Sequence, residues 1–216
     1  MNCKNILFDF DGTLVDTAEL IVATIRTAAR ELQLPDKTEA ECRSVIGLRL
    51  EEVADVLWPQ HPGMSERYAA CYRRIFEALK PTYPVRCFPQ VVETLQQLRA
   101  AGFRMAIASS RNRPSLTAYL DEFGLAGHFC MLVGGNDVAH GKPAPDPVLA
   151  ILEAQQWQAD ESWVVGDMAV DILMGRRAGT HTCGVTYGNG SRDELTEAGA
   201  EAVISDFADL VRVVSR

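Results

Sequence analysis

Two carboxylates, Asp9 and Asp11, stand one residue apart at the end of the apolar run Ile6-Leu7-Phe8. An apolar run of this kind reads as a buried strand. Ionised carboxylates side by side repel and desolvate badly, so two of them at the end of such a strand need a partner. A bound cation meets both needs. The run therefore predicts a strand that delivers carboxylate oxygens to a metal. Plainer readings exist. Asp11-Gly12 is also a turn signal that could simply end the strand. A calcium loop fits poorly, because the twelfth position counted from Asp9 is Leu20, where a bidentate Glu is needed.

Three later points add to this pair. Ser109-Ser110 follows the apolar stretch Arg104–Ala108, Lys142 lies in the loop after Met131–Val133, and Gly166-Asp167 follows Ser162–Val165 with Asp171 one helical turn on. Each has an ordinary reading by itself. Ser109 could be a turn hydroxyl or helix cap, Lys142 a solvated charge, and Asp167 an N-cap. Together they put acid, hydroxyl, cation and acid at the ends of successive strands, which is where ligands bind in an open parallel sheet. Asp9, Asp11 and Asp167 offer hard oxygen ligands suited to Mg2+, which keeps open positions for phosphate and water. Phosphoryl transfer needs positioning and charge neutralisation above all. Lys142 supplies positive charge, and Ser109 and loop amides supply hydrogen bonds. Asp9 is free to attack phosphorus as a carboxylate nucleophile, and Asp11 is placed to move a proton to the leaving oxygen and later from water.

These residues need a scaffold. Periodicity predicts a helix over Val15 to Leu34, with Leu20, Ile21, Thr24, Ile25, Ala28 and Leu32 on one face, stopped by Pro35-Asp36. Two shorter helices follow at Glu39–Ile46 and Glu51–Trp58. A longer one opens at Ser65 and runs to Leu79, with Tyr68 and Tyr72 read as core packing. The Pro-rich stretch Lys80 to Pro89 reads as a linker. Beyond it, helices are expected at Gln90–Ala101, Ser115–Phe123, Pro145–Gln156, Ile172–Ala178 and Phe207–Val214. They alternate with strands at Arg104–Ala108, Met131–Val133, Ser162–Val165, Thr182–Val185 and Ala202–Ile204. Strict alternation means βα units and a parallel sheet. The expected fold is α/β, a doubly wound parallel core made of residues 1–15 and 86–216. A small all-helical domain, residues 16–85, is inserted after the first strand.

Bulk properties narrow the function. The chain has 216 residues, 47% of them hydrophobic, and a net charge of −8. No run of Lys or Arg offers a face for nucleic-acid phosphates. The cysteines, Cys3, Cys42, Cys71, Cys87, Cys130 and Cys183, show no C-x-x-C spacing and read as small core hydrophobes in a reducing compartment. Asp9 and Asp11 interrupt the first apolar run, so it does not read as a secretory leader, and no segment is long enough to cross a bilayer. A cytoplasmic protein without membrane or nucleic-acid partners is expected. No heptad or long apolar stripe appears, which leaves a monomer or homodimer open. His61, His128, His140 and His181 fit no ligand spacing, and His140 reads as a loop histidine near Lys142.

The set Asp9-Phe10-Asp11-Gly12-Thr13, Ser109, Lys142-Pro143-Ala144-Pro145-Asp146 and Gly166-Asp167-Met168-Ala169-Val170-Asp171 resembles the four motifs of the haloacid dehalogenase superfamily. The resemblance covers nearly the whole chain. It implies a Rossmann-like core with a helical cap between the first and second motifs. It implies Asp9 as nucleophile and Asp11 as acid/base. Mg2+ would be held by the side chains of Asp9 and Asp167 and the backbone carbonyl of Asp11. Ser109, Ser110 and Lys142 would hold the phosphate, and Asp171 and Thr13 would support the metal site from behind. Gly175-Arg176-Arg177-Ala178-Gly179 with Gly184-Val185-Thr186-Tyr187-Gly188 looks most like the phosphoglycolate phosphatase branch. Met168 stands where that branch usually carries Ser or Thr, and Ser110 where it often carries Asn.

The function expected is Mg2+-dependent hydrolysis of a small phosphorylated metabolite, with Arg49 of the insertion reading the substrate's far end, such as a carboxylate. A sugar-phosphate mutase is the alternative, set back because Glu19-Leu20-Ile21-Val22 lacks the histidine that resembling mutases carry there. A pyrophosphatase or nucleotidase on the same scaffold is also open. A dehalogenase would need no metal, and a phosphonate hydrolase would need a cap lysine where only Lys37 and Lys80 exist. A binding module would be expected to have lost Asp9, Asp11 or Asp167.

Overall fold

The computed structural model describes residues 4–215. The chain opens with β1 (Asn5–Phe8) and a two-residue strand, β2 (Val15–Asp16). Four helices follow: α1 (Ala18–Glu31), α2 (Glu39–Ser44), α3 (Leu50–Leu57) and α4 (Ser65–Leu79). After β3 (Arg86–Cys87), helices and strands alternate: α5 (Val91–Ala100), β4 (Arg104–Ala108), α6 (Arg113–Glu122), β5 (Met131–Val133), α7 (Asp146–Gln155), β6 (Ser162–Gly166) and α8 (Ala169–Arg177). The chain ends with β7 (His181–Val185), α9 (Arg192–Glu197), β8 (Ala202–Ile204) and α10 (Leu210–Val214).

Six strands form one parallel sheet in the order β5-β4-β1-β6-β7-β8. Alternate side chains of a strand face opposite ways, and β1 shows the consequence. Ile6 and Phe8 pack into one core with α5, α6 and α10, whereas Leu7 packs into another with α7 and α8. Both faces of the sheet are thereby covered, which is why the strands are apolar throughout rather than alternating.

The order places β1 centrally. The chain leaves it for β4 on one side and later returns to β6 on the other, so the topological switch point lies at the carboxyl ends of these three strands. Register does the rest. Phe8 lies level with Ile107 and with Val165. Asp9 therefore emerges at the level of Ala108 and Gly166, with Ser109 and Asp167 one residue further on.

The helical insertion packs on itself and on the core. Trp58 and Tyr68 are fully buried with rings 5.5 Å apart, and the Trp58 indole donates to the carbonyl of Pro35 at 2.8 Å. Tyr68 is a core residue as expected. Tyr72 packs against the same core but is only partly buried: it stacks on Phe76 at 5.8 Å and lines a cavity.

Other departures are local. Val15 and Asp16, expected as helix, pair antiparallel with Cys87 and Arg86, expected as linker. This two-stranded tie closes the base of the insertion where the chain enters and leaves it. Helix α8 starts at Ala169, three residues before its expected start. Helix α9 was not expected, although Ser191 and Glu194 form a reciprocal capping box at its start. Cys42, Cys71 and Cys183 are buried and unpaired as expected, while Cys87 is half-buried and Cys130 exposed. Cys3 lies outside the described residues. Among the described residues no helix is long and apolar enough to cross a membrane.

Candidate active site

Asp9, Lys142, Asp167 and Asp171 converge at the switch point, and all four are almost completely buried. The Lys142 ammonium pairs with Asp9 Oδ1 and, at 2.7 Å, with Asp171 Oδ1. Asp9, Asp167 and Asp171 each offer an oxygen within 4.8 Å of the others. Glycine makes part of this closeness possible, since a Cβ on Gly166 would sit 2.6 Å from Asp171 Oδ2. At Gly12 the backbone is left-handed, with φ +93°, and a Cβ there would collide with the Asp167 carboxylate.

The cluster's electrostatics are unbalanced. Three carboxylates share one ammonium, a deficit of two charges that one divalent cation would cancel. Burial holds the Asp9 carboxyl well above the usual carboxylate range, although Lys142 opposes the shift. Asp167 is pushed up to about 7, by burial first and by Asp171 next. Burial alone would lower Lys142, but Asp171 and Asp9 more than offset it and hold the ammonium above its ordinary range. Asp171 Oδ1 has no hydrogen bond beyond its ion pair. A set of hard oxygens short of positive charge fits a divalent cation such as Mg2+.

The remaining oxygens of the acids are held. Asp167 Oδ1 accepts from the Thr13 hydroxyl at 3.2 Å, and Oδ2 accepts from the backbone and side-chain nitrogens of Asn189 at 2.7 and 3.0 Å. Thr13 thus stands behind Asp167. Asp171 Oδ2 accepts from the Met168 backbone N–H at 3.0 Å, at the start of α8. Asn189 is a site residue that sequence reasoning did not find. It follows Tyr187-Gly188, and only the fold brings that loop back to Asp167.

Asp9, Asp11, Ser109, Ser110 and Arg49 line a cavity of about 780 Å³ between the sheet ends and the insertion. Lys142, Asp167 and Asp171 lie behind Asp9, closed off from solvent. Ser109 is buried, and its hydroxyl accepts from the Arg111 backbone N–H at 3.1 Å. The Ser110 hydroxyl donates to the carbonyl of Gly47 at 2.6 Å. Arg49 reaches across from α3 and donates to the carbonyls of Val138 and Ala139 at 2.8 and 2.9 Å. These last two contacts tie the insertion to the loops of the core.

Asp11 is brought to the cavity, but its side chain turns away from the other acids. Oδ1 accepts from the Thr17 hydroxyl at 2.7 Å and from Arg111, and Oδ2 accepts from Arg111 Nε at 3.0 Å. Arg111 is the second functional-site residue that the sequence did not reveal. His140 is exposed and pairs with Asp146, outside the cluster.

Comparison with known proteins agrees with this geometry. The haloacid dehalogenase-like hydrolase family matches residues 6–185. The chain is 35% identical over 210 residues to a protein of Dickeya dadantii (strain 3937) named as a probable phosphatase, IndB, covering 95% of this chain and 91% of that one. It is 31% identical over 219 residues to a phosphoglycolate phosphatase of Yersinia pseudotuberculosis, covering 98% and 93%. Its fold superposes on the crystal structure of a hydrolase from Pseudomonas syringae with a TM-score of 0.87 and 28% identity, over 98% and 97% of the two chains. The chain belongs to the haloacid dehalogenase-like hydrolases. Within that family it is an enzyme of the phosphatase type.

Proposed function

We propose that the protein is a Mg2+-dependent phosphatase acting on a small phosphorylated metabolite of the phosphoglycolate kind through a phosphorylated Asp9. The observation that carries this reading is the buried cluster of Asp9, Lys142, Asp167 and Asp171 opening at Asp9 into the cavity. Asp9 is the one acid of the three that lines the cavity, so it is the carboxylate a phosphate ester can reach. In this reading the side chains of Asp9 and Asp167 and the backbone carbonyl of Asp11 would hold Mg2+, with Asp171 and Thr13 behind them, and the ion would neutralise charge on the phosphoryl oxygens.

The chain's own residues then divide the work. Ser109 holds the phosphoryl group in line with Asp9, Lys142 supplies positive charge to it from behind Asp9, and Ser110 borders the same pocket. Asp9 attacks phosphorus and becomes the aspartyl-phosphate as the ester oxygen leaves. Asp11 gives a proton to that oxygen and then takes one from the water that hydrolyses the phosphoryl-enzyme. Residues 16–85 act as a cap that excludes bulk water, hinged at the β2–β3 tie and latched by Arg49 and Ser110.

Phosphate release from a panel of small phosphate esters tests this reading, with Mg2+ and with a chelator, for wild type and Asp9→Asn. Release that needs both Mg2+ and Asp9 is expected, with Asp9→Asn slower by roughly four orders of magnitude. Equal release by the two proteins would overturn it.

A further inference from the structure

Arg111 is a cation built into the cavity with an unusual partner. The other cations that line the cavity are engaged elsewhere. Arg49 bonds backbone carbonyls, Arg73 pairs with Glu51, and Lys80 pairs with Glu77 at 3.0 Å. Arg111 alone forks a carboxylate that the proposed chemistry requires to move a proton, taking both oxygens of Asp11. With Thr17 also on Oδ1, both oxygens of Asp11 are engaged in this arrangement.

The guanidinium is fixed independently of Asp11. It lies over the rings of Tyr119, Phe76 and Phe10 at 5.0, 5.2 and 5.9 Å, and Nη1 donates to the Ser115 hydroxyl at 3.0 Å. Its side chain is only 9% exposed. Three aromatic faces and one hydroxyl therefore keep the fork in place, while the edge toward Asp11 is exchangeable. A fork of this kind, largely withdrawn from water, pairs strongly with any planar or tetrahedral oxyanion that reaches it.

We propose that Arg111 is the receptor for a second anionic group on the substrate, and that this group displaces Asp11 from the fork and frees it for proton transfer. One ion pair breaks as another forms, and the Asp11 carboxylate is released from its cation into the cavity. The substrate class follows from the geometry. The fork bonds directly to the acid that serves the ester oxygen, so a second anion on the fork lies close to that oxygen, as in a short phosphorylated carboxylic acid. An ester with no second anionic group leaves Asp11 clamped and is turned over slowly.

This inference rests on the phosphatase reading, and one experiment separates the two. The kcat/KM for phosphoglycolate and for 2-hydroxyethyl phosphate, which has a hydroxyl in place of the carboxylate, is measured with Mg2+ for wild type, Arg111→Gln and Arg111→Lys. Wild type is expected to prefer phosphoglycolate by about 100-fold, and Arg111→Gln to lose most of that preference. Arg111→Lys keeps the cation without the fork and is expected to lower the preference about tenfold, which carries the test if Arg111→Gln does not fold. A merely structural Arg111 would lower both esters together. Equal use of the two esters by wild type, or a preference unchanged in the variants, overturns the role of Arg111 and leaves the phosphatase reading standing. No phosphate from either ester overturns both.

Discussion

The floor and the wall of the cavity are built on opposite rules. The floor is Asp9, Lys142, Asp167 and Asp171, set on the ends of β1 and β6, the start of α8 and the loop before α7, and closed off from water. Its charges are held by each other and by Thr13 and Asn189. The wall opposite comes from the insertion, with aromatic and aliphatic side chains such as Tyr72 and Phe76, and it meets the core through few polar ties. A floor of buried, mutually dependent charges is rigid and sensitive to any loss. A wall of apolar side chains, tied to the core by Arg49 and Ser110, has fewer charges to lose. The difference separates a floor that positions charged groups at the sheet ends from a wall that borders the space a substrate would fill.

The sharpest way to break this contrast is Lys142→Met. The change leaves Asp9 and Asp171 facing each other without their cation, and removing one member of a buried ion pair costs about 3–5 kcal/mol. Denaturant unfolding at pH 8 should show a loss near the lower end of that range, and kcat/KM should fall by roughly 100- to 1,000-fold. A stability change within about 0.5 kcal/mol, the size seen at ordinary surface positions, would show that the floor does not depend on its charges.

Removing metal while varying pH probes the floor without mutation. The folded protein holds the Asp167 carboxyl up to about 7, against an ordinary value of 3.8. The unfolded chain thus ionises this group while the folded chain still holds the proton. The stability this acid contributes is fully present below about 4 and is lost as pH rises through about 7. In chelator, the urea midpoint should therefore fall between pH 4 and 8. Mg2+ should raise it more at pH 8 than at pH 5, because the ion takes the place of the proton. A midpoint that stays level across that window, or a Mg2+ effect larger at pH 5, would contradict the picture of an under-compensated acid cluster.

Arg49→Ala tests the wall and should give the smallest effect. It removes two hydrogen bonds at a half-exposed position, for a stability loss of about 1 kcal/mol or less. KM is expected to rise several-fold with kcat nearly kept, as measured by steady-state kinetics. A loss as large as that of Lys142→Met would erase the distinction between the two regions.

The floor was legible in the sequence because strand ends can be read from local pattern. Asp9, Ser109 and Asp167 each follow an apolar run, and a parallel α/β topology sends such ends to one edge. The same logic gave the doubly wound core and the helical insertion. What the sequence withheld depends on contacts between distant parts of the chain. The pairing of Asp11 with Arg111 spans 100 residues and that of Asn189 with Asp167 spans 22. Neither partner has a spacing signal. The β2–β3 tie is made of two-residue strands, too short to show a period. Tyr72 and Tyr68 sit one helical turn apart on α4, yet one lines the cavity and the other is buried. Periodicity places both on one face and cannot say where that face meets open space. Helix α9 did carry a local signal, the Ser191 to Glu194 capping spacing.

The most direct test of the central claim is to trap the phosphoryl-enzyme. Wild type mixed with Mg2+ and phosphoglycolate, quenched in acid within one turnover and digested, should carry one phosphoryl group on the peptide that contains Asp9. Asp9→Asn should carry none. A phosphoryl group on another residue, or phosphate release from wild type with no trapped species and no dependence on Asp9, would contradict the account.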